Sequence, residues 1–400
     1  MPRRRMIVVV AIAALIIDTV LQGLIAPLLP DIEQRTGAGA GALGAAFAAY
    51  AVPILLFSLP LGRAADSIGR RALLVGGLLL ITVGSGLIAV TDSLTVLIAG
   101  RAVQGIGSAA SWIAALALVS DVSQPGKRGE AIGVAFAAIG AGSIAGPALG
   151  GVTADLISFA APFLIVSVIS IALTAATLAV LPREARRPTP EASAWPTVVR
   201  STSSGTGALA AVIIFAASGM LGLIEVVAPL DLDARLGLSS SAIGLLFAGS
   251  IVVDSSLSPI GGRWGDRRGR RGPATFGLAA LALSSALLAA LPGTVGAGLA
   301  LAVLGAGFGL SFSAAVPWLD DAFDHMDRGL AYGVLNVLYA AGYVVGPLAG
   351  GLLLELASAD LAYVLTAASL AGGTLAFLAF SRPSAEARRS AGRRPARARS

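Results

Sequence analysis

Gly62-Arg-Ala-Ala-Asp66-Ser-Ile-Gly69-Arg70-Arg71 returns 200 residues later as Gly262-Arg-Trp-Gly-Asp266-Arg-Arg-Gly269-Arg270-Arg271. The same offset carries Gly146-Pro147-Ala-Leu-Gly150-Gly151 onto Gly346-Pro347-Leu-Ala-Gly350-Gly351. It carries Asp31-Ile-Glu-Gln-Arg35-Thr-Gly37 onto Asp231-Leu-Asp-Ala-Arg235-Leu-Gly237, and Asp121 and Arg128 onto Asp321 and Arg328. Shared composition does not keep several matches at one ungapped offset, so the chain is a tandem repeat of two equivalent units.

Composition says what kind of unit repeats. Of the 400 residues, 56% are hydrophobic and 12% charged, where a soluble domain carries about 25% charged residues. That excludes a cytosolic enzyme, a nucleic-acid binder and a disordered chain, and makes the bilayer the default solvent. Cysteine is absent and His325 is the single histidine, so disulfides, thiol nucleophiles and a Cys/His metal site are not expected, and no cofactor is implied. Apolar runs long enough to cross about 30 Å of hydrocarbon lie near 6–30, 40–61, 72–91, 94–119, 129–153 and 160–181, then near 208–230, 239–261, 273–292, 295–318, 329–354 and 360–381. Their backbone groups must be satisfied internally, which predicts an all-α protein with twelve transmembrane helices. The predicted organisation is a six-helix half over 1–181, a linker over 182–207, a second six-helix half over 208–381 and a basic, disordered tail over 382–400.

The charges orient the spans. Arg3–Arg5, Arg63, Arg70, Arg71, Lys127, Arg128, Arg183, Arg186, Arg187, Arg200, Arg263, Arg267, Arg268, Arg270, Arg271, Arg328 and the arginines from Arg382 onward fall on one side, against Arg35 and Arg235 on the other. This predicts a multi-pass protein of the cell's inner (plasma) membrane with both termini cytoplasmic. The first apolar run outlasts a signal-peptide core and holds Asp18 and Pro27, so it reads as a span and not as a cleaved leader.

With six spans per half, the two halves enter from the same side as parallel repeats. In this arrangement the chain resembles the major facilitator superfamily over about residues 6–381. Gly62 to Arg71 resembles that family's signature between helices 2 and 3. Arg101-Ala-Val-Gln104-Gly105-Ile-Gly107 resembles its helix 4 signature. Gly142-Ser-Ile-Ala-Gly146-Pro147 with Gly150-Gly151 resembles the helix 5 signature of antiporters. The stretches Leu15–Gln22, Gly219–Pro229 and Gly342–Pro347 are similar to vesicular amine transporters and their drug:proton antiporter relatives. Asn336 and Ser311-Phe312-Ser313 stand where vesicular amine transporters carry acids. The resemblance implies the major facilitator fold and a protein that moves a small molecule by alternating access.

Ionisable groups at mid-bilayer cost at least about 2.5–3.5 kcal/mol, which makes Asp18, Arg101, Glu225 and Asp254 the candidates for proton coupling. Asp18 lies about 20 Å from the outer Asp31 at helical rise. Lost hydration favours its protonated form and a nearby cation its charged form, as exchange of a proton for a cationic substrate requires. Gln22 shares its face one turn on. Glu225 sits nearer the outer mouth and is not the repeat mate of Asp18, which is Ser218. Arg101 needs an anionic or hydrogen-bonding partner, and the Asp18 region is the expected one. The face of Asp254 is ambiguous. Asn336, Tyr339 and Tyr343 follow i, i+3, i+7 spacing and, with Trp112, are expected to line a cavity where aromatic faces hold organic cations. Tyr50 and Phe57 are weaker candidates. For each of these residues, packing or a structural pairing is the alternative.

Gly62, Asp66, Gly69, Arg70 and Asp121, with Asp266, Arg270 and Asp321, are expected to form a gate. Asp66 and Asp266 would face the starts of helices 11 and 5, and Asp121 and Asp321 would offer carboxylates to Arg70 and Arg270, tying the halves together on the cytoplasmic side. Gly142 and Gly146 permit close helix contact and Pro147 removes a backbone donor, which suits a tight seam between the halves, with plain helix packing as the alternative; Gly150 and Gly151 complete the antiporter-type motif. The expected function is a proton-coupled antiporter exporting small amphipathic or cationic organic compounds, working as a monomer. A proton symporter importing a metabolite is the alternative within transport. An enzyme is not expected, because no nucleophile, metal cluster or cofactor motif converges, and no Walker pattern is present.

Overall fold

The computed structural model describes residues 2–121, 128–182, 195–203, 205–323 and 328–380. The side chains of 2, 59, 62–66, 128–130, 132, 195–197, 199, 328–330, 332 and 380 lie outside that description, as does the tail from 381. The repeat predicted from sequence becomes a repeat of helices. Helix α1 (Pro2–Gly23), a 3₁₀ turn (Ala26–Leu28) and α2 (Leu29–Thr36) together correspond to the single helix α9 (Gly205–Leu236). Then α3 (Ala40–Ile68) matches α10 (Ser240–Arg268), α4 (Arg70–Ala89) matches α11 (Arg271–Ala290), and α5 (Leu94–Asp121) matches α12 (Gly293–Asp321). Finally α6 (Arg128–Leu156) matches α13 (Arg328–Leu356), and α7 (Ala161–Val180) matches α14 (Ala359–Phe380). Twelve helical spans are long and apolar enough to cross a membrane. The linker holds one short helix, α8 (Trp195–Ser203), and α9 begins at Gly205, slightly before the expected start of the second half.

Local chemistry explains the joints. Pro27 opens the 3₁₀ turn and cannot donate to the preceding helical turn. The first span breaks there, while Val227, the residue at the equivalent position of α9, lets that helix run on. Gly69 and Gly269 turn the chain between α3 and α4 and between α10 and α11 at φ of 91° and 89°, a conformation a Cβ would strain.

The basic loops mark one end of the bundle, called here the basic end. At the opposite end the two halves meet along two seams, α6 on α10 and α3 on α13. The antiporter-type glycines divide between two faces. A Cβ on Gly142 would come 2.7 Å from the Ile16 carbonyl, on Gly146 2.7 Å from the Val20 carbonyl, and on Gly150 2.9 Å from the Leu24 Cα. These three therefore pack α6 onto α1 within their own half. One position further round the helix, Gly151 abuts Ser240 and Ser241 of the other half, and the Pro147 carbonyl abuts Gly244 there while the Pro147 ring packs on Gly23 of its own half. The expectation of a seam between halves is corrected for Gly142 and Gly146, whose role is helix packing within the first half. The i, i+4, i+8 row points one way and the row shifted by one residue points about 100° away. The second half repeats the division, with Gly346 and Gly350 against α9, and Gly351 against Ala40 and Gly44 of the first half.

Hydrogen bonds close the same end. Ser240 Oγ donates to Asp31 Oδ2 at 2.9 Å, Ser241 N to Asp155 Oδ2 at 2.8 Å, and Gly41 N to Glu355 Oε2 at 2.6 Å.

Candidate functional site

Helix α5 supplies the polar spine of the first half. Arg101, Gln104, Ser108 and Ser111 recur at i, i+3, i+7 and i+10, so they share one face, and all four are buried. Arg101 Nη1 donates to Gln104 Oε1 at 3.0 Å, and Gln104 Nε2 donates to Ser85 Oγ at 2.9 Å. The guanidinium lies 4.4 Å over the ring of Tyr50 and 5.8 Å from that of Phe47. Its Nε and Nη2 have no hydrogen-bond partner among the described residues. Tyr50 OH donates to Ser108 Oγ at 2.7 Å, and Ser111 Oγ donates to Asp18 Oδ1 at 3.3 Å.

Asp18 is 4% exposed and its partners are hydroxyls. The expected pairing of Arg101 with the Asp18 region is therefore indirect. Tyr50 and Ser108 stand between the cation and the acid, because the Arg101 side chain lies along α3 and stacks on its aromatic rings instead of reaching α1.

The network continues into the second half. Gln22 Nε2, one turn from Asp18, donates to Tyr339 OH at 3.0 Å. Tyr339 stacks on Tyr343 with ring centroids 5.5 Å apart and planes 14° apart. Tyr343 packs at 5.7 Å on Phe47, and its hydroxyl donates to Glu225 Oε2. Phe312 meets the edge of Tyr339 at 6.2 Å and stacks on Phe308 at 4.3 Å. Asp18, Gln22, Arg101, Glu225, Tyr339 and Tyr343 thus belong to one network where the halves face each other.

Other expected residues fall outside its centre. Asp254 is half-buried and accepts from Ser258 Oγ at 3.0 Å on its own helix. Trp112 is half-buried against the apolar core of the first half, and Asn336 is half-buried one turn from Tyr339. Of the weaker pair, Tyr50 is buried at the centre, while Phe57 is 42% exposed.

The gate residues behave differently from the expectation. Arg70 Nε meets Asp121 Oδ2 at 2.9 Å, and Arg270 pairs with Asp321. The partners are those expected, but each pair joins α4 to α5 or α11 to α12 inside one half and does not tie the halves together. Asp266 is exposed, while the surroundings of Gly62 and the side chain of Asp66 lie outside what is described. Gly69 serves as the turn described above.

Sequence reasoning missed Ser108, Ser111, Phe47 and the Phe308–Phe312 pair. The serines were findable as a polar stripe in phase with Arg101. The phenylalanines carry no such signal, since any apolar helix face offers them.

The family model of the Major Facilitator Superfamily matches residues 10–223 and 208–399. The chain belongs to that superfamily. Multidrug resistance protein 1 of Bacillus subtilis (strain 168) is 26% identical over 84% of this chain and 86% of its own length. The synaptic vesicular amine transporter of Mus musculus is 25% identical over 65% of this chain and 51% of its own, and another curated relative is matched over only 32% of its length. Among solved structures, a bacterial homolog to the human lysosomal transporter Spinster, in an inward-facing and unoccupied conformation, superposes with a TM-score of 0.75 at 15% identity, covering 95% of each chain. This major facilitator protein is therefore an all-helical, multi-pass membrane transporter built from two pseudo-symmetric six-helix halves.

Proposed function

We propose that this transporter is a proton-coupled antiporter that exports small amphipathic or cationic organic compounds by alternating access. The observation that carries the reading is Asp18, a buried carboxyl group whose partners among the described residues are hydroxyls. Burial makes a carboxylate charge expensive unless a proton or a cation offsets it. A cationic substrate and a proton then compete for one group, which couples their fluxes. Gln22 links that group to Tyr339 of the other half, and the stacked tyrosines offer ring faces to an organic cation. Glu225, held by Tyr343, is a second acidic station nearer the mouth, and Asp254 a third on the far wall. Arg101 biases both acids electrostatically through the Tyr50 and Phe47 rings. Trp112 and Asn336 complete the lining.

In this reading the basic end is cytoplasmic, as the arginine asymmetry requires. The seams at the opposite end then close the outer face, and the Arg70–Asp121 and Arg270–Asp321 pairs hold each half rigid while Asp66 and Asp266 gate the inner face. The protein works as a monomer in the inner (plasma) membrane. The similarity to multidrug and amine transporters supports the substrate class.

The test is counterflow in proteoliposomes with an imposed pH gradient, across a panel of organic cations and neutral analogues. Accumulation of cations against their gradient, collapsing with the pH gradient, is expected. Uptake in the same direction as protons would reverse the assignment to symport.

A further inference from the structure

The two halves keep their repeat in the turns Gly62–Arg71 and Gly262–Arg271, yet depart from it at a few neighbouring positions. Ala64 becomes Trp264, Ser67 becomes Arg267, Ile68 becomes Arg268, and Pro60 becomes Ile260. In the next helix Ala72 becomes Gly272 and Gly76 becomes Phe276. These substitutions are scattered in sequence but converge in space.

Ile260, Arg263, Trp264, Arg267 and Arg268 line a cavity of about 320 Å³ at the basic end of α10. Their spacing of three and four residues puts them on one helix face. The Trp264 and Phe276 rings meet at 5.3 Å and 50°. The indole lies directly over Gly272, where a Cβ would come 2.8 Å from Cζ2. The loss of Ala72's methyl in the second repeat therefore makes room for the gain of the indole at Trp264. Beside the rings, Ile260 is 53% and Phe276 61% exposed. The three guanidiniums are exposed and form no ion pair among the described residues. Asp266 is the nearest acid in sequence; it lies about 200° around the helix from Trp264 and one turn from Arg263, with which it forms no ion pair among the described residues.

Three unpaired arginines at a helix end, an indole at the same level and bare apolar side chains on the membrane side of it match the layers of one molecule. Phosphate meets guanidinium, the glycerol and ester region meets indole, and acyl chain meets Ile260 and Phe276. We propose that this groove on α10, with its indole packed on α11, binds the headgroup of an anionic phospholipid. It is specific to the second half, because the first half lacks the indole, two of the arginines and both flanking apolar groups.

The experiment is native mass spectrometry of the whole protein with phosphatidylglycerol or phosphatidylcholine, read as the ratio of retained lipid. A triple variant Arg263→Gln, Arg267→Gln, Arg268→Gln is compared with Arg3→Gln, Arg4→Gln, Arg5→Gln, which removes equal charge from the same end. Preference for phosphatidylglycerol should fall by about fivefold per groove arginine, the scale of basic side chains at an anionic surface, and stay near wild type in the control. Equal losses in both variants would mean diffuse charge and overturn the site.

A second measurement does not depend on the arginine variants folding. Tryptophan fluorescence of wild type and Trp264→Phe is compared in nanodiscs doped with brominated phosphatidylglycerol or brominated phosphatidylcholine. The quenching that disappears with Trp264 should be stronger for the anionic lipid. Equal quenching by the two lipids would overturn the proposal. So would inorganic phosphate alone displacing the anionic lipid at millimolar concentration, because the site would then hold a free anion and not a lipid.

Discussion

Replacing Arg101 by Met should leave the protein folded and stop its coupled transport. Methionine keeps the unbranched stem and fills most of the space, and it removes the guanidinium alone. Two contacts are lost. The charge-assisted hydrogen bond to Gln104 at 3.0 Å is worth about 1.5–3 kcal/mol, and the stacking over Tyr50 at 4.4 Å about 2 kcal/mol when desolvated. Gln104 Oε1 also loses its donor, at about 1–3 kcal/mol. Against this, the cation is fully buried and its Nε and Nη2 are unpartnered among the described residues. Each unsatisfied nitrogen costs about 1–3 kcal/mol or more for a charged group, on top of several kcal/mol of ionic desolvation. Both sides come to roughly 5–8 kcal/mol, so the net change should stay within about 2 kcal/mol. The thermal midpoint of the detergent-solubilised protein should move by only a few degrees, while counterflow driven by a pH gradient should vanish in proteoliposomes. Normal coupled transport by Arg101→Met would refute the electrostatic role. Failure to fold would refute the balance, and would mean that the residue is held by partners stronger than these.

Asp18→Asn should abolish accumulation of a cation against its gradient and spare binding of a neutral analogue. Cation binding to wild type should release a proton and tighten as pH rises, a dependence the variant should lose; export of the cation against a gradient by Asp18→Asn would move the coupling to Glu225 or Asp254. Gln22→Ala and Tyr339→Phe each break the one hydrogen bond at 3.0 Å that crosses between the halves beside Asp18. A double-mutant cycle read by crosslinking across the closed end should return a coupling of about 1 kcal/mol, and additivity would dissolve the link. Gly146→Ala should lower the thermal midpoint through about 1–3 kcal/mol of overpacking against the α1 backbone, whereas Gly86→Ala, with nothing within 4 Å of its Cβ position, should raise it slightly; equal effects would contradict the α1–α6 packing.

The sequence alone determined the number of spans, the two-fold repeat, the family and which ionisable residues fall inside the apolar runs. These depend on run length, charge placement and a fixed offset, all of which are properties of the chain in one dimension. It also placed Asp18 with Gln22, and Tyr339 with Tyr343, because helical periodicity settles which residues share a face. Tertiary structure decided what those faces meet. Arg101 reads from sequence as a partner for Asp18, but the way α3 packs on α5 puts Tyr50 and Phe47 under the guanidinium. Gly150 and Gly151 are neighbours in the chain, yet one packs on Leu24 at the end of α1 and the other on Ser240 of α10. Arg70 and Arg270 find their expected carboxylates inside their own halves. Periodicity defines a face only relative to its own helix axis. The rotation, depth and crossing angle that bring two faces together follow from side-chain packing summed over all the helices, and no single stretch of sequence contains them.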